Sequence, residues 1–225
     1  MMNKLEIDSI QLYVGNHRQL LTDCYLSCSS EEIIGILGRN RSGKSSLFEI
    51  IFGTLEPSNK FIRINGQVCK TPFAKKLVGY IPQTSIFPKD ATVQKLLKFL
   101  LNSDRFEDLK KNKRIEPILS SKIRHLSGGE LKYLEVSTIL HMDHPFVLLD
   151  EPFSGIEPIF QSEIQDLLTR NPYKKGILVS DHNFRNIMDV SNKLFLLNDG
   201  ALVKITKSVE LEYLGYVPKG TFSED

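Results

Sequence analysis

No stretch of this chain approaches the ~18 consecutive apolar residues that a bilayer-spanning helix requires, which excludes helical membrane insertion and points to a soluble globular protein. Three cysteines in 225 residues are too few for a disulfide framework. A net charge of +2 is too slight to mark a nucleic-acid binder, which ordinarily concentrates basic residues on one face. The opening MMNKLEIDSI lacks the basic-then-apolar layout of a secretory signal, so the cytoplasm is the expected compartment. There is no internal repeat and no low-complexity linker. The length fits one domain, residues 1–225, because single cores stop growing at roughly 250–300 residues.

What is present alternates between two periods. Leu5 to Val14, Ile33 to Leu37, Phe61 to Ile64, Leu77 to Ile81, Phe146 to Leu149, Gly176 to Ser180 and Leu194 to Leu197 read as strands. Helical spacing occupies 92–101, 128–141, 158–170 and 183–190. Several strand runs are continuously apolar. Such strands interleaved with helices predict an α/β fold with a mainly parallel sheet covered on both faces. The N-terminal strands suggest an antiparallel β-subdomain beside it. A polar, Lys-rich helical insert begins near residue 91, within a helical subdomain spanning about 91–143, and residues 216–225 read as a mobile tail.

The strand ending at Leu37 runs into Gly38-Arg39-Asn40-Arg41-Ser42-Gly43-Lys44-Ser45, followed by Ser46 and a helical pattern. This is G-x-x-x-x-G-K-[ST] in the strand-to-helix context the motif demands. Glycines let the backbone curl so that successive N–H groups point at phosphate oxygens, and the helix N-terminus adds partial positive charge. Lys44 is expected to reach the β- and γ-phosphates, and Ser45 to ligate Mg²⁺. Phe146-Val147-Leu148-Leu149-Asp150-Glu151 then places two acids at the end of an apolar strand, where open α/β sheets bind ligands. Asp150 is expected to hold Mg²⁺ through water and Glu151 to orient the attacking water. A guanine-specific site would need Asn-Lys-x-Asp; the nearest run, Asn192-Lys193-Leu194-Phe195, lacks the aspartate.

Leu126-Ser127-Gly128-Gly129-Glu130 opens a helix some twenty residues ahead of the acidic strand. With this pentapeptide, and with the order of motifs along almost the whole chain, the sequence resembles the ABC ATPase family. Alone, the same residues would read as a serine N-cap with a flexible turn. The resemblance implies a P-loop fold of the ABC type, with Ser127, Gly128, Gly129 and Glu130 facing the γ-phosphate held by a second nucleotide-binding subunit. It also implies ATP and Mg²⁺ as cofactors, a homodimer, transmembrane permease subunits as partners, and a peripheral place for this chain on the cytoplasmic face of the membrane.

The same resemblance assigns further roles. Tyr13 matches the aromatic that stacks on adenine, although an aromatic at a strand end also serves simple packing. Gln83, in Gly79-Tyr80-Ile81-Pro82-Gln83, matches the glutamine that touches Mg²⁺ or water; His182, in Val179-Ser180-Asp181-His182, matches the switch histidine on the γ-phosphate. Arg41 stands where many relatives have glycine or serine, Glu157 where they have aspartate, and Leu131-Lys132-Tyr133 lack the arginines common there. The Glu130 variant, the run Glu151-Pro152-Phe153-Ser154-Gly155-Ile156-Glu157-Pro158-Ile159, the run Ser180-Asp181-His182-Asn183 and the ending Glu212-Tyr213-Leu214-Gly215 are similar to the branch that holds the lipopolysaccharide-export ATPase and the branched-chain amino-acid importer subunits.

Some features stay open at this level. A soluble, non-transport ABC ATPase is disfavoured by the absence of a fused second cassette, and a catalytically weak scaffold subunit is kept open by Arg41 and Glu157. Lys110, Lys111, Lys113 and Arg114 read as a solvated face or as a contact to anionic headgroups. His141 and His144 lack the companions of a metal site, and Cys24 and Cys28 read as packing thiols.

Overall fold

The chain's continuously apolar strands divide their side chains between two cores. In β3 (Ile33–Leu37), buried at all five positions, Ile33 and Leu37 enter one core while Ile34 and Ile36 enter the other. In β7 (Phe146–Asp150), Val147 and Leu149 face one way and Phe146 and Leu148 the other. This is the period-two alternation of a strand with no solvent face. The structure, a computed structural model, describes residues 2–15 and 18–222.

Around those two strands lies a six-stranded sheet that also holds β6 (Val78–Ile81), β8 (Gly176–Ser180), β9 (Lys193–Asn198) and β10 (Ala201–Ile205). Its order is β10-β9-β3-β8-β7-β6, parallel except for the β9–β10 hairpin. Antiparallel pairing joins β1 (Lys4–Val14), β2 (Arg18–Ser29), β4 (Asn59–Ile64) and β5 (Gln67–Val68) into a second sheet, ordered β2-β1-β4-β5. The core that includes residues of both sheets also takes in α1 (Lys44–Phe52), through Leu47, Phe48, Ile50 and Ile51. The P-loop α/β fold with an antiparallel β-subdomain is therefore the architecture observed.

The other core takes α2 (Val93–Leu100), α3 (Ser103–Leu109), α4 (Gly128–His141), α5 (Pro158–Arg170) and α6 (Phe184–Val190). Local chemistry starts most of them. Thr92 accepts from Lys95 N–H at 3.4 Å, Asn102 from Arg105 N–H at 3.0 Å and Asn183 from Arg185 N–H at 3.2 Å, each satisfying an otherwise unpaired helix N–H. α5 opens with Pro158 at its first position, where the missing N–H costs nothing. The insert holds α2, α3 and two 3₁₀ turns, Glu116–Ile118 and Ile123–His125.

Among the described residues no helix is long and apolar enough to cross a membrane. Cys24 and Cys28 are buried free thiols, their pKa values pushed up by burial to about 11 and about 12. His141 Nδ1 lies 2.7 Å from Ser137 O, one turn back in its helix.

The C-terminal segment departs from the reading as a mobile tail. After α7 (Glu210–Tyr213), Val217 is buried, Tyr216 donates from its phenol to His182 O at 3.2 Å, and Phe222 meets Phe184 edge-on. Glu212 holds the turn by accepting from Gly220 N–H and Phe222 N–H. An apolar residue every few positions gives this segment enough burial to pack. Residues 223–225 lie outside the described residues.

Candidate active site

The loop between β3 and α1 turns on two positive backbone angles, φ 65° at Arg41 and φ 109° at Gly43. A Cβ on Gly38 would sit 2.7 Å from Ser42 Oγ and 3.1 Å from Leu197 O, so only glycine permits this curl. Lys44 is 5% exposed and its ammonium folds onto the loop, donating to Gly38 O at 2.8 Å and Arg39 O at 3.3 Å. Burial pushes its pKa down, while the nearby carboxylates of Glu151, Asp150 and Asp181 oppose that shift. Ser42 Oγ is buried with no hydrogen-bond partner among the described residues.

The acidic strand arrives opposite this loop. Asp150 is buried and accepts from Ser180 Oγ at 2.6 Å, with Tyr80 OH at 3.4 Å from its other oxygen. Burial raises the Tyr80 phenol pKa, so that group stays a protonated donor to the carboxylate. Glu151 adopts φ 50°, and its Oε2 accepts from Gln83 Nε2 at 2.9 Å and from Ser154 Oγ at 3.1 Å. His182 Nδ1 stands 3.6 Å from the same oxygen and 3.3 Å from Ser154 Oγ. Asp181, fully buried, pins the chain there by accepting from Phe153 N–H at 3.2 Å and Asn183 N–H at 2.9 Å.

A cavity of about 660 Å³ gathers half of the residues expected from the sequence. Asn40, Arg41, Gly43, Lys44, Ser45 and Ser46 line one side; Gln83, Glu151, Ser154 and His182 line another. Gly38 and Arg39 instead flank a neighbouring pocket beside Tyr216, where Arg39 donates to Gly215 O at 2.7 Å. Ser42 lines an adjoining groove. Tyr13 does not line the cavity: Val14 and Arg18, paired across the hairpin, do, while Tyr13 is half exposed and pairs with Gln19. Parity along the strand explains the difference, since neighbours in a strand face opposite ways.

The signature residues lie outside this cavity. Ser127 and Glu130 form a reciprocal capping box on α4: Ser127 N–H donates to Glu130 Oε2 at 2.8 Å, and Glu130 N–H to Ser127 Oγ at 3.2 Å. Gly129 packs under Phe160, where an added Cβ would sit 2.1 Å from the ring; at Gly128 it would meet only Gly155 O, at 3.9 Å. Sequence reasoning gave no role to Ser154, Ser180, Asp181, Tyr80 or Arg18. Ser154, Ser180, Asp181 and Tyr80 lie in runs already singled out for their neighbours; Arg18 carries no such signal.

The cavity can therefore take a polyanion against Lys44 and the loop N–H groups, with a carboxylate and an imidazole at its far side. Residues 21–154 match a family described as ABC transporter. The lipopolysaccharide export system ATP-binding protein LptB of Haemophilus influenzae is 32% identical over 202 residues, 83% of each chain. Its namesake in Escherichia coli is 28% identical over 223 residues, 92% of each. A solved nucleotide-free ATP-binding cassette from an ABC transporter matches with a TM-score of 0.81 at 19% identity, covering 96% of both chains.

Proposed function

This chain belongs to the ABC transporter family as its ATP-binding, ATP-hydrolysing subunit, and we propose that it works as one of two identical subunits that close face to face on two ATP molecules. The carrying observation is a division. Lys44, Ser45, Gln83, Glu151 and His182 share one cavity, whereas Ser127 to Glu130, with their own helix-terminal N–H groups, stand outside it. A second subunit would bring that lid. The pairing supplies what one chain leaves out.

In this reading the loop N–H groups and Lys44 hold the β- and γ-phosphates, the Lys44 ammonium exchanging its loop carbonyls for phosphate oxygens. Glu151 accepts hydrogen bonds on one carboxylate oxygen from Gln83 and Ser154, which fixes the direction in which it presents the other to a water. His182, beside the same group, would donate to the γ-phosphate, and the partner's signature N–H groups would complete the neutralisation of charge. Val14, Arg18 and Leu20 form the wall on which a base would lie, with Tyr13 the further candidate for stacking.

Mg²⁺ fits these residues. Ser45 lines the cavity, Gln83 is beside Glu151 and Asp150 is buried just behind; no cluster of three acidic, histidine or cysteine ligands occurs among the described residues, as suits an ion held mainly by phosphate and water. Ser45 and Gln83 would hold it directly and Asp150 through water; bound there, it would offset phosphate charge.

The named relatives support lipopolysaccharide export as the transport process, with permease subunits binding this chain at the cytoplasmic face of the membrane. The test is Glu151→Gln. That variant should retain ATP binding, lose turnover by at least about a hundredfold and run as a nucleotide-dependent dimer in gel filtration. Undiminished turnover would contradict the assignment.

A further inference from the structure

A charged pair lies where the packing of α4 gives no reason for one. Lys132 and Glu135 are one turn apart, 8% and 1% exposed, with Lys132 Nζ 3.1 Å from Glu135 Oε2. Pairs at this spacing ordinarily decorate a solvated helix face. Taking both charges out of water is expensive, and an apolar pair of similar size would generally pack as well or better. Neither Glu135 oxygen has a well-aligned hydrogen-bond donor among the described residues, so Lys132 is the only cation placed to offset its charge.

The ammonium has one more contact, and it leads to the active site. Lys132 Nζ donates to the main-chain oxygen of Gln83 at 3.3 Å, and the Gln83 side chain donates to Glu151 at 2.9 Å. Glu135, Lys132, Gln83 and Glu151 thus form a continuous line from inside α4 to the carboxylate that faces the cavity. The same helix begins at Ser127, the residue expected on the other subunit's nucleotide.

We propose that Lys132, anchored by Glu135, is a positioning residue: it fixes the main chain of Gln83 and so sets how the Gln83 amide meets Glu151. Lys132 touches no substrate. The role rests on the reading of Glu151 as the group that orders water, and it deepens that reading. A displacement of α4 when its N-terminus meets nucleotide would reach Glu151 through the ammonium, because a buried ion pair moves with its helix.

The experiment is steady-state ATP hydrolysis by the purified full chain. Lys132→Met should lower kcat about tenfold with KM changed less than about threefold, and Lys132→Arg, which keeps the donor, should restore most of the rate. In a Gln83→Ala background Lys132→Met should add little further loss, whereas a merely structural role would give independent, multiplying losses. The double variant Lys132→Met with Glu135→Leu removes both charges and guards against misfolding; folded but slow is the expected result. Wild-type kcat in that folded double variant, or equal impairment in Lys132→Arg and Lys132→Met, would overturn the proposal. Glu151→Gln separates the two ideas, since full turnover there removes the ATPase assignment itself whatever Lys132 does.

Discussion

Gln83 and Glu151 are joined by a 2.9 Å hydrogen bond from the amide to the carboxylate, across 68 positions of sequence. Glu151 needs that support because its backbone stands at φ 50°, a left-handed angle that costs a non-glycine residue about 1 kcal/mol. Its N–H is tied to Ser180 O at 2.8 Å, which holds the turn. The strand end, the neighbouring strand and the glutamine loop together aim one carboxylate.

Removing the amide should therefore disturb orientation more than binding. For Gln83→Ala the expectation is a fall in kcat of roughly ten- to a hundredfold with a small change in the Kd for ATP, since Lys44 and the loop N–H groups are untouched. Single-turnover hydrolysis beside equilibrium nucleotide binding would check it. A matched loss in affinity and rate would place Gln83 in ground-state binding instead.

The two signature glycines should fail differently. Gly129→Ala forces a methyl to 2.1 Å from the Phe160 ring, and overpacking of this kind destabilises by about 1–3 kcal/mol, which urea unfolding of the isolated chain would register. Gly128→Ala meets nothing closer than 3.9 Å and should unfold like the wild type. Its defect should emerge only in nucleotide-dependent dimerisation, read in a Glu151→Gln background.

Arg41→Gly separates stability from ligand binding. Arginine holds φ 65° where glycine would be unstrained, so the substitution should raise Tm by about 2–4 °C. Arg41 also lines the cavity, so the same change should weaken ATP binding several-fold by removing a cation near the phosphates. Thermal melts with and without nucleotide would show opposite effects.

Much of the fold and site could be read from the sequence because its signals are local. The phosphate loop, the acidic strand and the signature are contiguous runs, and Lys44, Ser45, Gln83, Glu151 and His182 do line one cavity. What escaped depends on tertiary placement. β2 hides its strand character because Leu21 and Cys24 both point inward across three positions, the alternation being broken near Asp23 at φ 46°. Tyr13 and Val14 are neighbours in sequence but line different surfaces, a matter of strand register that composition cannot set. Lys132 looks like an ordinary helix lysine until α4 is packed beside Gln83.

Acid should weaken the fold partly through His144, between α4 and β7. Its Nδ1 is buried without a hydrogen-bond partner and lies under Gly79, and burial, with Lys175 and Lys76 nearby and Asp143 opposing them, pushes its pKa down to about 4. The unfolded chain binds this proton near pH 6.5, so between about 6.5 and 4 the unfolded state holds more protons and stability rises with pH. The contribution is fully present above 6.5 and is lost as pH falls toward 4. Discounted for partial exposure it is worth about 2 kcal/mol. His144→Asn keeps a polar side chain but cannot titrate there, so urea unfolding at pH 7 and pH 4.5 should show the wild type losing about 1.4 kcal/mol more than the variant, the other titrating groups being common to both. Equal losses in the two proteins would show that His144 takes up its proton in the folded chain as readily as in the unfolded one.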